Sequence, residues 1–412
     1  MAWITDHPPT SADLDSCITC GLCLPACPTF RLTGDETASP RGRLTAIAAV
    51  AAGEIEVDER FDAVTDFCLQ CRACETVCPS MVPYGRIIES ARSEVVAQRP
   101  TPSSRVRGFA LGRLIAQRGL MRMVTLGMAI AQRLHLLQLV PRLGSASSGL
   151  RRLSLPVQSA HGGRWGPEDA PSVVLFTGCV ADAWFTDVHA ATIELLVRAG
   201  YRVEAPPAQT CCGSLAAHSG HGDEARRLAR TNIAALADAE RIVVDVAGCG
   251  AHLKSYEHQD PKGDVLANKV SDVTEIIAEA IADGRLPALS PNGTSVAVAD
   301  PCHLEHGQQV TDQPRTILKA AGLSPIDADP GGLCCGAAGL YQVSYPETSE
   351  ELGQRKAQSV VDTGAKLVAS ANAGCEMQLR RFLDAGFTVR HPVEIYAEAL
   401  RLADGQPSRS VG

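Results

Sequence analysis

The chain contains the same arrangement of four cysteines and a proline twice. Residues 17–28 read CITCGLCLPACP, and residues 68–79 read CLQCRACETVCP, 51 positions later. Thiols at fixed spacings constrain a fold strongly, because the backbone between them must present the sulfur atoms to one bound group. The full chain has 412 residues and 16 cysteines, and the eight cysteines outside these runs form a second repeat.

Both runs match the spacing C-x2-C-x2-C-x3-C-P, which binds [4Fe-4S] clusters in bacterial ferredoxins. In two-cluster proteins of that type, the fourth cysteine of each run reaches the neighbouring cluster. Free or zinc-bound thiols are a weaker alternative, since zinc ribbons need neither the third cysteine nor the proline. We therefore predict two clusters, the first ligated by Cys17, Cys20, Cys23 and Cys78 and the second by Cys68, Cys71, Cys74 and Cys27.

The interval between the two runs indicates the type of domain that holds them. Forty residues separate Cys27 from Cys68, more than in a compact ferredoxin, and the stretch RGRLTAIAAVAAGEIE has helical character. Residues 1–100 are therefore predicted to form an α-helical ferredoxin domain.

The second cysteine repeat predicts a duplicated α/β unit. Cys179, Cys211-Cys212 and Cys249 recur as Cys302, Cys334-Cys335 and Cys375, at offsets of 123 to 126 positions. Short apolar runs rich in β-branched residues end at several of these cysteines, and stretches of helical period lie between them. That alternation predicts parallel sheets covered by helices. We expect an α+β multidomain protein, with cysteine-rich repeats at 169–290 and 291–404 and a disordered tail at 405–412.

Each repeat is expected to bring its cysteines to one crevice, because functional groups in open parallel sheets gather beyond the carboxyl ends of the strands. Two readings stay open beside cluster binding: buried structural thiols, and a redox disulfide between adjacent cysteines. The spacing does not specify a cluster type. The possible additional cluster sites are Cys179, Cys211, Cys212 and Cys249 in the first repeat and Cys302, Cys334, Cys335 and Cys375 in the second.

A basic segment connects the ferredoxin domain to the first repeat. Between Glu94 and Glu168 the sequence has eleven arginines and no acidic residue, although the whole chain carries a net charge of −8. We predict a helical connector at 101–168. It is either a solvated linker that packs on its neighbours or a surface that docks an acidic partner or an anionic membrane. Nucleic-acid binding is not expected, because no recognition motif accompanies the arginines.

The chain resembles a known family. Two ferredoxin runs followed by two cysteine-rich repeats, each with a Cys-Cys-Gly (CCG) sequence, resemble the iron–sulfur subunit of bacterial glycolate oxidase. Shorter phrases are also similar to that family: SPRGR at 39–43, AGCGAHLKSY at 247–256 and CCGAAGLY at 334–341. Heterodisulfide-reductase domains of this kind usually end in CxxC, whereas here His252 follows Cys249 and Gln378 follows Cys375 at that spacing. This departure favours electron relay over disulfide cleavage. His252 and His303 are candidate nitrogen ligands.

The resemblance implies a complex that oxidises glycolate to glyoxylate, and D-lactate to pyruvate. Flavoprotein oxidase subunits would take the hydride, and electrons would leave through this chain toward a quinone or other membrane acceptor. No catalytic residue is assigned to the chain, and the absence of a GxGxxG motif predicts that it binds neither flavin nor NAD. The alternatives are an iron–sulfur subunit of a lactate or anaerobic glycerol-3-phosphate dehydrogenase, a thiol–disulfide reductase subunit, or a sensor.

The location of the protein is also an expectation from the sequence. The first ten residues have no leader pattern, and no apolar run approaches the roughly 20 residues that span a bilayer. Sixteen cysteines in such a chain favour a reducing compartment. We therefore expect a cytoplasmic protein, with peripheral binding to the inner face of the membrane as a further hypothesis.

Overall fold

Short helices surround the two ferredoxin loops. The computed structural model describes residues 3–136, 149–329 and 331–407. Proline occupies the first position of the helices at 28 and 40, where its missing N–H costs nothing, and Ser39 caps the second of these through the Gly42 N–H. Three helices of this domain bury Ile47, Phe61 and Ile87 in one core. The helices are α1 Ser11–Asp15, α2 Pro28–Thr33, α3 Pro40–Ala51, α4 Glu59–Asp66, α5 Ala73–Thr76 and α6 Tyr84–Gln98.

The predicted helical connector is helical over its first part only: residues 149–163 form neither helix nor strand, and Arg164–Trp165 is a strand that pairs with the sheet of the first repeat. Helix α7 (Pro102–Phe109), capped by Thr101, continues into a π-helical turn at Ala110–Leu114, and α8 follows at Arg118–Arg133. Part of the basic stretch, residues 137–148, lies outside the described residues. No single helix among those described is long and apolar enough to cross a bilayer; Pro102–Leu114 and Arg118–Arg133 reach that length and composition only together, across a bend of 101°.

The first cysteine-rich repeat contains a sheet with strand order β1-β3-β2-β4-β5. Neighbours pair in parallel except β1 with β3, which are antiparallel. Strand β1 precedes residue 169, where we predict the repeat to begin. The strands are β1 Arg164–Trp165, β2 Ser172–Phe176, β3 Arg202–Glu204, β4 Ile242–Val244 and β5 Val270–Asp272. The helices are α9 Val180–Trp184, α10 Thr186–Arg198, α11 Ser214–His218, α12 Gly222–Ala235, α13 Ala247–Leu253, α14 Gly263–Ala267 and α15 Val273–Ala282.

The second repeat contains a fully parallel sheet with strand order β7-β6-β8-β9. The predicted parallel α/β architecture is therefore confirmed in both repeats. The strands are β6 Ser295–Val298, β7 Ser324–Asp327, β8 Leu367–Ala369 and β9 Thr388–Arg390. The helices are α16 Cys302–Gln308, α17 Asp312–Ala320, α18 Tyr341–Ser344, α19 Pro346–Asp362, α20 Ala373–Phe382 and α21 Pro392–Ala403. Of the predicted tail, residues 408–412 lie outside the described residues.

The two repeats share one hydrophobic core. Helix α21 of the second repeat packs on α10 of the first, and α15 packs on α17. Leu195, Ile277, Ile317 and Tyr396 are all buried in the resulting cluster. Full burial of a side chain of this size contributes roughly 1.5–3 kcal/mol, so the shared cluster holds the repeats in a fixed arrangement. That arrangement brings their cysteines to face one another.

The ferredoxin domain packs directly on the second repeat. Leu69 and Cys71 from the second ferredoxin loop are buried together with Cys334, Tyr341 and Leu352. The contact also reaches the first repeat, because Gln70 Nε2 donates to the His218 carbonyl at 3.0 Å. The cysteine sites of all three units therefore lie close together.

Candidate iron–sulfur centres

The first set of predicted ligands lines one pocket at the protein surface. Cys17, Cys20 and Cys23 lie on the loop between α1 and α2, and Cys78 comes to the same pocket from the second run. Cys74, which we assign to the other cluster, lines this pocket too. Cys20 is exposed and its three partners are half-buried. The structure therefore allows Cys78, the fourth cysteine of the second run, to ligate the cluster of the first run.

The second set is buried. Cys27, Cys68, Cys71 and Cys74 are each less than a tenth exposed. Burial raises the pKa values of the Cys71 and Cys74 thiols, and neighbouring thiols, Cys27 among them, add to that effect. Thiolates without a bound metal would cost free energy at this buried site, whereas the iron atoms of a bound cluster would balance their charge. The four cysteines lie near one another, and their assignment to one cluster stays a prediction.

The two ferredoxin loops share a backbone conformation as well as a spacing. Thr19 and Gly21 in the first loop, and Gln70 and Arg72 at the equivalent positions of the second, have φ angles between 53° and 83°. Successive turns of this kind point backbone N–H groups into a concavity that suits an anionic group. The Gln70 N–H donates to Cys68 Sγ at 3.3 Å.

A buried arginine adjoins the second set. Arg43 is fully buried, donates through Nε to the Val64 carbonyl and through Nη2 to Thr29, and forms no ion pair within the described ranges. Burial by itself would lower its pKa, but Tyr84, Cys68 and Cys27 together raise it. Its Nη1 has no hydrogen-bond partner among the described groups. A cation without a carboxylate beside four thiols fits a negatively charged cluster. The sequence contained this residue in the SPRGR phrase, but nothing in it indicated the role.

In the first cysteine-rich repeat, all four candidate cysteines meet. Cys179 follows β2, Cys249 lies on α13 after β4, and the adjacent pair precedes Gly213, whose φ is 94°. The Sγ atoms of Cys179 and Cys211 are 3.2 Å apart, and those of Cys212 and Cys249 are 3.4 Å apart. Hydrogen bonds from Cys179 and Cys212 lower the pKa of Cys211, whereas the pKa values of Cys179 and Cys212 are raised, so Cys211 deprotonates more readily than these two.

Two side chains hold the adjacent pair of the first repeat in place. Asn232 Nδ2 donates to the Cys211 carbonyl at 2.9 Å and to the Tyr256 hydroxyl at 3.0 Å. That hydroxyl donates to the Cys212 carbonyl at 2.7 Å. Both residues are buried. They fix the loop through its backbone, a role that the sequence did not indicate, although Tyr256 is the last residue of the phrase AGCGAHLKSY.

In the second repeat, the cysteines also come together. The Sγ atoms of Cys335 and Cys375 are 3.0 Å apart, and Asn372 Nδ2 lies 3.4 Å from Cys375 Sγ. A hydrogen bond with Cys334 lowers the pKa of Cys302, and the neighbouring His303 acts in the same direction. The Cys-Cys-Gly loop is held by Ser349, whose hydroxyl donates to the Gly336 carbonyl at 2.8 Å.

His252 and Gln378, which occupy the positions where heterodisulfide-reductase domains usually have a further cysteine, have different surroundings. Gln378 Nε2 donates to the Ser349 carbonyl at 3.0 Å, so it supports the loop. His252 is buried near Cys211, burial lowers its pKa to about 4, and its Nε2 has no hydrogen-bond partner within the described residues. His303 Nδ1 is 3.6 Å from Cys302 Sγ, and its Nε2 is likewise unpartnered in the described part of the chain.

Both cysteine sets line one shared cavity. Its volume is about 270 Å³, and its wall also includes Leu69, Trp184, His218 and His303. All sixteen cysteines are free thiols in the structure. Among the residues described, no three or more His, Cys, Asp or Glu side chains are arranged to hold a single metal ion. The thiols instead surround a space, which is the arrangement that a polynuclear cluster needs.

Comparisons with protein families agree with this architecture. The 4Fe-4S dicluster domain matches residues 13–82, and the cysteine-rich domain (CCG) matches residues 173–254 and 296–380. The chain is thus an iron–sulfur protein in which a dicluster ferredoxin domain is joined to two cysteine-rich α/β domains.

More specifically, the chain belongs to the family of glycolate oxidase iron–sulfur subunits. It is 33% identical over 395 residues to the probable glycolate oxidase iron–sulfur subunit of Bacillus subtilis, covering 89% of this chain and 88% of that protein. It is 30% identical over 400 residues to the glycolate oxidase iron–sulfur subunit of Escherichia coli, covering 94% of each. Lactate utilization protein A of Bacillus cereus is 33% identical over 215 residues, half of this chain and 89% of that protein.

Proposed function

We propose that this chain is the electron-transfer subunit of a flavin-dependent glycolate oxidase complex. Electrons from flavin on partner subunits pass through it during oxidation of glycolate to glyoxylate, and of D-lactate to pyruvate, toward a membrane acceptor such as quinone. [4Fe-4S] clusters supply one-electron transfer when bound. The names of the relatives above support the complex and the glycolate substrate, and the lactate utilization relative supports a second 2-hydroxyacid.

One observation carries this proposal: the cysteine sites form a continuous series. Cys74 joins the surface pocket to the buried ferredoxin set. Cys71 lies next to Cys302, whose charge raises the Cys71 pKa, and both pack in one cluster of side chains. Cys302 then shares a cavity with Cys179 and its neighbours. A series of this kind suits transfer through the chain better than chemistry at one site.

The residues around the series have definite tasks in this proposal. Cys17, Cys20, Cys23 and Cys78 hold the first cluster, and Cys68, Cys71, Cys74 and Cys27 hold the second. Arg43 balances charge at the second set, and Tyr84, whose hydroxyl is 3.6 Å from Cys68 Sγ, helps to exclude water there. The cysteine sets of the two repeats are the candidate sites for further clusters, and His252 is a candidate nitrogen ligand whose Nε2 has no hydrogen-bond partner among the described residues.

The first test is the iron and acid-labile sulfide content of anaerobically purified protein. About eight irons per chain correspond to two [4Fe-4S] clusters, and about twelve to sixteen would add the repeats to the electron path. In the complex, Cys71→Ser should remove one EPR signal and abolish dye-linked glycolate oxidation while the flavin content stays unchanged. Full glycolate oxidation by that variant would refute the relay.

A further inference from the structure

Helix α8 presents its apolar side to solvent. Met123, Leu126 and Ile130 on α8 and Leu134 directly after it recur every three or four residues and are exposed, with Met123 65% and Leu134 61% accessible. Positions with this spacing lie on one face of a helix. A surface helix of a globular protein normally turns such a stripe inward, so this orientation needs a physical explanation.

The inward side of α8 includes Met121, but the residues that fix the orientation of the helix are small and polar. Thr125 and Ala129 are fully buried, and the Thr125 hydroxyl accepts a hydrogen bond from Trp184 Nε1 at 3.1 Å. Gln132 accepts from the Leu153 N–H at 2.9 Å and donates to the Arg151 carbonyl at 3.0 Å. These bonds fix the rotation of the helix about its axis. The apolar stripe therefore cannot turn inward without breaking them.

The charge of this segment is uniformly positive. Arg122 is exposed next to Met123, and Arg133 follows one turn after Ile130. From residue 95 to residue 167 the sequence has no acidic side chain, on a chain whose overall charge is negative. An apolar face bordered by arginines without carboxylates is the pattern of helices that lie in the membrane interface. Anionic lipid would attract Arg122 and Arg133, which are not ion-paired among the described residues, and the apolar stripe would enter the acyl boundary.

A lipid surface fits this face better than a protein partner does. The stripe contains four large apolar side chains over about three turns, and a protein interface of that size would be expected to mix hydrogen-bonding groups among them. The other side of α8 is bonded to the first cysteine-rich repeat through Trp184, which lines the cysteine cavity, so a lipid surface would contact α8 on its exposed side only.

We propose that α8 binds an anionic lipid surface, with Met123, Leu126, Ile130 and Leu134 inserted at the acyl boundary and Arg122 at the headgroups. The helix lies in the plane of the membrane and does not cross it. This brings the first cysteine-rich repeat toward the membrane. The inference goes beyond the proposed electron relay, and its test needs neither substrate nor flavoprotein, so the failure of one is separable from the failure of the other.

The test is flotation of the full chain with vesicles of phosphatidylglycerol and phosphatidylcholine, compared with phosphatidylcholine alone. We expect binding to the anionic vesicles that weakens as salt is added. Met123→Glu with Leu134→Glu should lower the bound fraction by roughly tenfold or more, since both side chains leave the acyl boundary. The matched control is Val265→Glu with Leu402→Glu, which changes two side chains that are 64% and 56% exposed on α14 and α21; it should bind like the parent chain.

Unchanged iron content and thermal unfolding in both double variants would show that each is folded. The proposal is overturned if the parent chain does not float with anionic vesicles, or if the Met123/Leu134 variant floats as well as the control. Loss of co-purifying flavoprotein subunits from that variant, without any lipid binding by the parent chain, would identify a protein partner and likewise overturn it.

Discussion

The two cysteine-rich domains repeat one another in sequence but have different neighbours in the molecule. In the second domain, Cys334 packs against Leu69 and Cys71 of the ferredoxin domain. In the first domain, the cavity wall includes Trp184, which is hydrogen-bonded to α8. The thiols lie at corresponding places on the two sheets. The packing of the ferredoxin domain nevertheless gives the two sites different positions in the series of cysteine sites. The second site adjoins the ferredoxin domain, and the first site lies toward the connector.

The domains also differ in the buried charges that stabilise them. In the second, the guanidinium of Arg151 bonds both Glu376 and Glu394, with distances of 2.6 and 2.7 Å to Glu394. In the first, His189 Nδ1 lies 2.7 Å from Asp245. An arginine is charged at every accessible pH, whereas a histidine is not. The same architecture therefore combines an ion pair that stays charged at neutral pH with one whose histidine titrates near neutral pH.

Replacing one cysteine in each domain should give the largest difference between the two sites. Cys334→Ser is expected to abolish electron transfer beyond the ferredoxin domain and any magnetic interaction between reduced clusters there, because Cys334 lies at that contact. Cys211→Ser should leave that interaction intact and remove only the farther site. EPR of the reduced protein and iron analysis would measure this. Equal spectra from the two variants would contradict the assigned order.

Removing Arg151 should cost the most stability. Arg151→Met leaves two buried carboxylates without a cation, which typically costs about 3–5 kcal/mol of unfolding free energy. Chemical denaturation of the two variants would measure it. Arg152→Met is the matched control, since Arg152 is exposed and should change stability by less than about 0.5 kcal/mol.

The same pair predicts a dependence on acid. Burial opposes ionisation of Glu394, but its bonds to Arg151 prevail and lower its pKa to about 2, from an ordinary 4.5. Its contribution is therefore present above pH 4.5 and lost as the pH falls toward 2. The stability difference between the parent chain and Arg151→Met should shrink over this interval. A difference independent of pH would argue against an ionised Glu394.

His189→Gln should cost less stability, and its cost should change with pH above about pH 6.5. His189 Nε2 faces the Thr177 carbonyl and Nδ1 faces Asp245, so both ring nitrogens donate only in the protonated form. Burial opposes this charge, but Asp245 prevails and raises the His189 pKa above 6.5. The stabilisation is complete below pH 6.5 and disappears as the pH rises through the raised value.

We expect His189→Gln to cost about 1–3 kcal/mol at pH 6, the usual range for losing a charged hydrogen bond, and less in alkaline solution. Thermal unfolding across this pH range would measure it, with His7→Gln, at an exposed position, as the control. A constant penalty from pH 6 to alkaline pH would mean that His189 is neutral in the folded protein.

The sequence alone determined the iron–sulfur class of the protein, the grouping of its cysteines and the parallel strands at whose ends many of them lie. These features depend on spacings of a few residues, which local backbone geometry translates directly into positions. The ligand assignments themselves stay predictions.

Only the tertiary structure decided how the ferredoxin domain packs on the two repeats, how α21 closes the core of the first repeat, that Arg43 points at the second ferredoxin set, and that the apolar stripe of α8 faces outward. Each of these depends on contacts between residues that are distant in the chain. The packing of whole surfaces selects such contacts, and no spacing within the sequence specifies them.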